Sequence, residues 1–137
     1  RENAMLEGGC NCGQVRYRIE GQPVAVAQCH CSNCRRQSGS AFSVNLVVPK
    51  DAVTCSGEMT SYVDGDTASG NPVNRKFCPK CGSPIFSELA AGPMVVVKAG
   101  TLDDPAPFAP GISVWTSTRL PWVEVAEGIP CFERNPG

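Results

Sequence analysis

Gly8-Gly9-Cys10-Asn11-Cys12-Gly13-Gln14-Val15-Arg16-Tyr17-Arg18-Ile19-Glu20 is the stretch that decides the fold. Val15, Tyr17 and Ile19 alternate with Gln14, Arg16, Arg18 and Glu20, the period of two expected of a strand with one buried face. This strand leaves directly from two cysteines one residue apart, hemmed in by glycine, so it is tied to a thiol-bearing turn. The same texture runs outward. The 137 residues hold 14 Gly and 12 Pro, which break the chain too often for long helices and suit short strands and turns. Further strands are expected at 24–28, 41–48, 73–77, 85–89, 94–99, 112–116 and 122–126, with a hairpin over 53–62 turning at Ser56-Gly57. Residues 64–72 are small, polar and without period, and read as an exposed loop able to close over a site. Short helical turns fit only 32–39 or 101–104. The fold class is therefore all-β.

Composition narrows the function classes. Twelve Lys+Arg against 13 Asp+Glu leave a formal charge of -1, which argues against a protein that binds nucleic acid by neutralising phosphates. The pairs Arg35-Arg36 and Arg75-Lys76 read as solvated or active-site charge instead. No apolar run approaches the roughly 18 residues of a membrane span, and no basic-then-apolar leader opens the chain. A cytoplasmic protein of one domain is expected over 5–137, with residues 1–4, ahead of Met5, read as a remnant of expression.

Nine cysteines are the informative excess. Seven are clustered: Cys10 and Cys12; Cys29, Cys31 and Cys34; Cys78 and Cys81. Cysteines one or two residues apart cannot easily bridge each other, yet both can reach one Zn²⁺ at about 2.3 Å. An odd count also speaks against a disulfide framework. Seven thiols do not fill two four-sulfur sites. The Cys78-Pro79-Lys80-Cys81-Gly82 knuckle pairs naturally with Cys10-x-Cys12 as a closed structural zinc site. Cys29, Cys31 and Cys34 then hold a second zinc with one position open for water or substrate, and chemistry on sulfur is expected there. Arg35 and Arg36 are candidates to offset its negative charge or to clamp a carboxylate. Seven bound thiolates and two Zn²⁺ would take the formal charge to about -4.

Other readings stand beside this one. His30 could be the fourth ligand of a closed second site, or Cys29 to Cys34 a redox trio. Cys55 and Cys131 read as small core residues, and Phe77, Phe86, Trp115 and Trp122 as core or pocket wall.

Four blocks in this order, Gly8-Gly9-Cys10-Asn11-Cys12-Gly13-Gln14-Val15-Arg16-Tyr17, Cys29-His30-Cys31-Ser32-Asn33-Cys34-Arg35-Arg36-Gln37-Ser38-Gly39-Ser40-Ala41-Phe42, Arg75-Lys76-Phe77-Cys78-Pro79-Lys80-Cys81-Gly82-Ser83-Pro84 and Gly100-Thr101-Leu102-Asp103-Asp104, span nearly the whole chain. Together they resemble the glutathione-dependent formaldehyde-activating enzyme / centromere protein V family. The resemblance implies a β-tent of antiparallel sheets around zinc and the same partition of cysteines, with two Zn²⁺ per chain. It also implies a carbon–sulfur lyase that joins a small thiol such as glutathione to a small aldehyde, as in S-hydroxymethylglutathione. The chain departs from many relatives in placing Ser113, rather than His, ahead of Trp115 and the Arg119-Leu120-Pro121-Trp122 block, which bears on the substrate pair and not on the metal sites. The competing class is a non-catalytic zinc scaffold or adaptor of the same fold. A zinc or thiol redox sensor is the third.

Overall fold

The computed structural model describes residues 5–67, 69–89 and 92–136. The proposed remnant at 1–4 lies outside them. Ten strands make two sheets. β1 (Met5–Gly9), β2 (Arg16–Glu20) and β5 (Val53–Ser56) form a three-stranded antiparallel sheet in the order β1-β2-β5. β3 (Ala25–Cys29), β4 (Ser43–Pro49), β6 (Thr60–Asp64), β7 (Val73–Phe77), β8 (Pro84–Leu89), β9 (Met94–Lys98) and β10 (Ile112–Val114) form a sheet of seven in the order β10-β3-β4-β9-β8-β7-β6. Every pairing is antiparallel except β10 on β3. The one α-helix among the described residues, α1 (Ser32–Ser38), occupies the expected helical turn.

The core lies between the sheets. Val15, Tyr17 and Ile19, the alternating residues that announced β2, are buried against Leu46 and Val48 of β4, Phe86 of β8, and Val95 and Val97 of β9. The Tyr17 and Phe86 rings meet at 5.5 Å between centroids, within the range of favourable aromatic pairs. The same alternation leaves every second residue of the large sheet on its opposite face. That other face is not core, and the site is built on it.

Four expectations are corrected. Residues 53–62 are not a hairpin: β5 pairs with β2, while β6 pairs with β7 in the other sheet. Gly57 sits at φ +94, and a Cβ there would collide with the Gln14 carbonyl, so only glycine fits where the chain passes between sheets. No strand forms over 122–126, and Trp122 is 72% exposed, so it is neither core nor wall. Cys55 and Cys131 are exposed, because β5 is an edge strand and Cys131 lies on a surface bridge to Ser113. Asp64, assigned to the loop, ends β6 as a buried residue.

Candidate functional site

Two knuckles converge at one end of the core. Cys10 N–H donates to the Val15 carbonyl, and Gly13 N–H donates back to the Cys10 carbonyl. Around Cys78 the pattern repeats: Cys78 N–H donates to the Ser83 carbonyl, and Gly82 N–H returns to Cys78 at 2.8 Å. Gly82 holds φ +81, which a side chain would resist. The sulfurs of Cys10, Cys12, Cys78 and Cys81 all lie within 4.8 Å of one another. Cys10 to Cys12 is 3.6 Å and Cys12 to Cys78 is 3.8 Å. A tetrahedral zinc with Zn–S bonds of about 2.3 Å requires sulfurs about 3.8 Å apart, so the donor set fits zinc in chemistry and in spacing.

The surroundings fit a thiolate cluster too. Val15 N–H donates to Cys10 Sγ at 3.2 Å, and the N–H groups of Lys80 and Cys81 approach Cys78 Sγ at 3.4 and 3.5 Å. The Ser83 hydroxyl lies 3.3 Å from Cys81 Sγ and, with the Ser83 N–H, pulls that thiol down to about 5. Such outer donors stabilise charged ligands.

The second group sits on the free face of the large sheet. β3 delivers Cys29 and α1 delivers Cys34, while Cys31 stands at the helix N-cap. All three line a cavity of about 350 Å³. Cys29 and Cys34 are side-chain hydrogen-bonding partners. Cys29 is pushed up by that bond and by burial, and Cys34 drops to about 5. The Cys29 hydrogen bond is the main cause for Cys34, working against burial, with Lys98, the Ser43 hydroxyl and Arg75 adding to it. Cys31 Sγ instead donates to Asn33 Oδ1 at 3.5 Å. Among the described residues, only the four-cysteine group brings three or more ligand atoms to a common point.

Strand register orders the rest of the cavity. Val114, Cys29 and Ser43 form one row across β10, β3 and β4. Ile112, Ala27, Asn45 and Lys98 form the next. Ala25, Val47, Val96, Ser87 and Arg75 form the third. Lys98 is 6% exposed and donates to Asn45 Oδ1 at 3.2 Å, and no carboxylate pairs with it among the described residues. Burial lowers its pKa, and the Cys34 charge opposes that shift. Arg75 donates through Nε to Asp64 Oδ2 at 2.8 Å in a buried ion pair. Lys98, Asn45 and Ser87 were not singled out from sequence. Their signal was a polar residue on the period-two face of an otherwise apolar strand.

Arg35 is half-buried and Arg36 exposed in the last turn of α1, and neither lines the cavity. His30 is 1% exposed, and its Nε2 is 2.9 Å from the Ser113 hydroxyl. Burial and the Arg119 charge hold it below the usual histidine range, so it is neutral. Ser113 thus engages Nε2 alone, Nδ1 is buried with no partner among the described residues, and neither His30 nor Ser113 lines the cavity. Arg75, read from sequence as solvated or active-site charge, is on the cavity wall, while Lys76 pairs with Glu88 at 3.4 Å.

The chain's last segment covers the cavity. Trp115 adopts φ 58, and its Nε1–H donates to Asn135 Oδ1 at 2.8 Å while the Arg134 guanidinium lies 4.5 Å from its ring centre. Backbone bonds from Ser113, Trp115, Thr116 and Ser117 to Pro130, Arg134, Phe132 and Glu133 hold the tail along β10. Thr67 and Ser69, from the loop before β7, line the cavity as well, the placement expected of a loop over a site. No helix is long and apolar enough to cross a membrane.

Comparison with known proteins gives a consistent result. Residues 5–118 match the family model described as glutathione-dependent formaldehyde-activating enzyme. A Halomonas elongata protein provisionally given that name is 32% identical over 143 residues, covering 96% of this chain and 89% of its own length. A Pyrenophora teres protein with the same provisional name is 32% identical over 84 residues, which is 42% of its length. A crystal structure of a Rhodobacter sphaeroides protein superposes with a TM-score of 0.55 at 16% identity, covering 92% of this chain and 98% of that one, and so shows a shared fold.

Proposed function

The chain belongs to the glutathione-dependent formaldehyde-activating enzyme family, and from that premise we propose that it is a zinc-dependent carbon–sulfur lyase acting on a thiol–aldehyde adduct of the S-hydroxymethylglutathione type. The observation that supports this most is the placing of Cys29, Cys31 and Cys34 on the wall of a cavity beside the buried ammonium of Lys98. Two Zn²⁺ per chain belong to the proposal, one held by Cys10, Cys12, Cys78 and Cys81 for structure and one by Cys29, Cys31 and Cys34 for the reaction. Held by Cys29, Cys31 and Cys34, a zinc ion would supply an open coordination position able to acidify a substrate thiol.

The remaining work falls to the chain. In the forward direction the thiol gives up its proton, its sulfur bonds to the aldehyde carbon, the C=O π pair moves onto oxygen, and that oxygen takes a proton. The hemithioacetal contains every atom of the two reactants, and the reverse reaction breaks the same C–S bond. Lys98 Nζ, one row from Cys29, is placed to donate a hydrogen bond to the oxygen as charge builds there. Asn45 Oδ1 orients that ammonium. The tail around Trp115 and Asn135 keeps bulk water from the adduct. The activity fits a cytoplasmic enzyme with glutathione and a small aldehyde as its partners.

The test is the exchange of formaldehyde between free and glutathione-bound forms, followed by NMR with zinc-loaded protein. Acceleration over the uncatalysed rate is expected, with two zinc per chain by elemental analysis and loss of most of the acceleration in Cys31→Ser. One zinc per chain with no acceleration would favour the non-catalytic scaffold.

A further inference from the structure

The cavity is much larger than formaldehyde needs. Its volume of about 350 Å³ falls in the range of sites for small organic ligands, and its walls on β3, β4, β9 and β10 are Ala25, Ala27, Val47, Val96 and Ile112. Beyond its thiol end, glutathione is poorly matched to that space, because no Asp or Glu lines it among the described residues and the tripeptide's ammonium would find no counter-charge there. The aldehyde partner suits it better, and the polar groups show what that partner carries.

Ser87 stands on the cavity face and is 8% exposed, yet its Oγ has no hydrogen-bond partner among the described residues. An unpaired buried hydroxyl costs about 1–3 kcal/mol, so it calls for a ligand atom. Directly opposite on β7 is Arg75, whose guanidinium uses only Nε on Asp64 among the described residues. Lys98 is the diagonal neighbour of Ser87 across β8 and β9, a spacing of about 7–8 Å. Val96 fills the corner between them. Both charged groups of the lining are thus cationic donors, Lys98 one row from the thiols and Arg75, beside the unpaired Ser87 hydroxyl, further along the strands.

We propose, resting on the function above, that the carbonyl substrate is a short aliphatic aldehyde acid. Its carbonyl oxygen meets Lys98 beside the thiols, its hydrocarbon lies on Val47 and Val96, and its carboxylate accepts hydrogen bonds from Ser87 Oγ and the Arg75 guanidinium. The addition is the one already balanced, with the carboxylate unchanged throughout.

Zinc-loaded protein is assayed with glutathione and, in turn, formaldehyde, butanal and succinic semialdehyde. In parallel, butyrate, an inert carboxylate of similar length, is titrated by calorimetry. Succinic semialdehyde is expected to exceed butanal in kcat/KM by about tenfold or more. Ser87→Ala should cut that ratio about fivefold and weaken butyrate binding by a similar factor without lowering the melting temperature, since it removes an unpaired hydroxyl. Val96→Phe, which fills the corner, should also weaken butyrate. If formaldehyde is exchanged and succinic semialdehyde does no better than butanal, the aldehyde acid is wrong and the lyase reading survives. If no aldehyde is exchanged while butyrate binds through Ser87, the lyase and the aldehyde assignment fall together and only the carboxylate site stands. Butyrate binding that Ser87→Ala leaves unchanged overturns the carboxylate site.

Discussion

Asp64 and Arg75 depend on each other, and the cavity depends on both. They are buried and joined at 2.8 Å, so Arg75→Met would strand a carboxylate away from water. That single change should cost about 3–5 kcal/mol in urea denaturation, and pairing it with Asp64→Asn should recover much of the loss. Arg16 and Asp103 make the contrasting exposed pair, bidentate across the small sheet. The Arg16 hydrogen bond and charge hold Asp103 below its ordinary 3.8, with slight burial opposing. A carboxylate depressed on folding contributes stability above its unfolded value and loses it as pH falls through the folded one. Asp103→Asn should therefore be less stable than the parent at neutral pH. The two melting curves should converge as acid takes the parent below 3.8.

At the scale of elements, β2 was legible because three buried residues alternate with charged ones, and α1 because the cysteine spacing closes on a helical turn that Gly39 ends in the left-handed region. The 53–62 hairpin misled because a strand-turn-strand pattern fixes where strands lie and not which strand each one joins. The Gln14 carbonyl that would block any side chain at Gly57 comes from a distant part of the chain. Residues 122–126 carry apolar letters with no neighbouring strand to pair with. The tail was not legible at all, since its hold on β10 rests on backbone bonds and on Asn135 and Arg134 around Trp115. Deleting residues 132–136 should leave both sheets intact by far-ultraviolet circular dichroism, shift the Trp115 emission to the red and weaken butyrate binding severalfold.

For the molecule as a whole, the Cys10–Cys12 and Cys78–Cys81 knuckles join the small sheet to the large one, and sequence spacing alone was enough to pair them. Cys78 is fully buried within the core cluster. If this site holds the structural zinc, Cys78→Ser should forfeit much of a metal contribution on the order of 10 kcal/mol and unfold at ordinary temperature. Cys31→Ser, at the cavity wall, should melt near the parent and lose activity. A Cys78→Ser protein that melts like the parent would reject the assignment.

The large sheet also separates two kinds of information along a single chain. On β4, Leu46 and Val48 face the core while Asn45 and Val47 face the cavity; on β9, Val95 and Val97 face the core while Val96 and Lys98 face the cavity. Stability and selectivity are thus written on interleaved positions of the same strands. A library varied only at residues 45, 47, 87 and 96 would search ligand preference over an unaltered core, whereas deleting one residue from β9 would exchange the two texts and lose both.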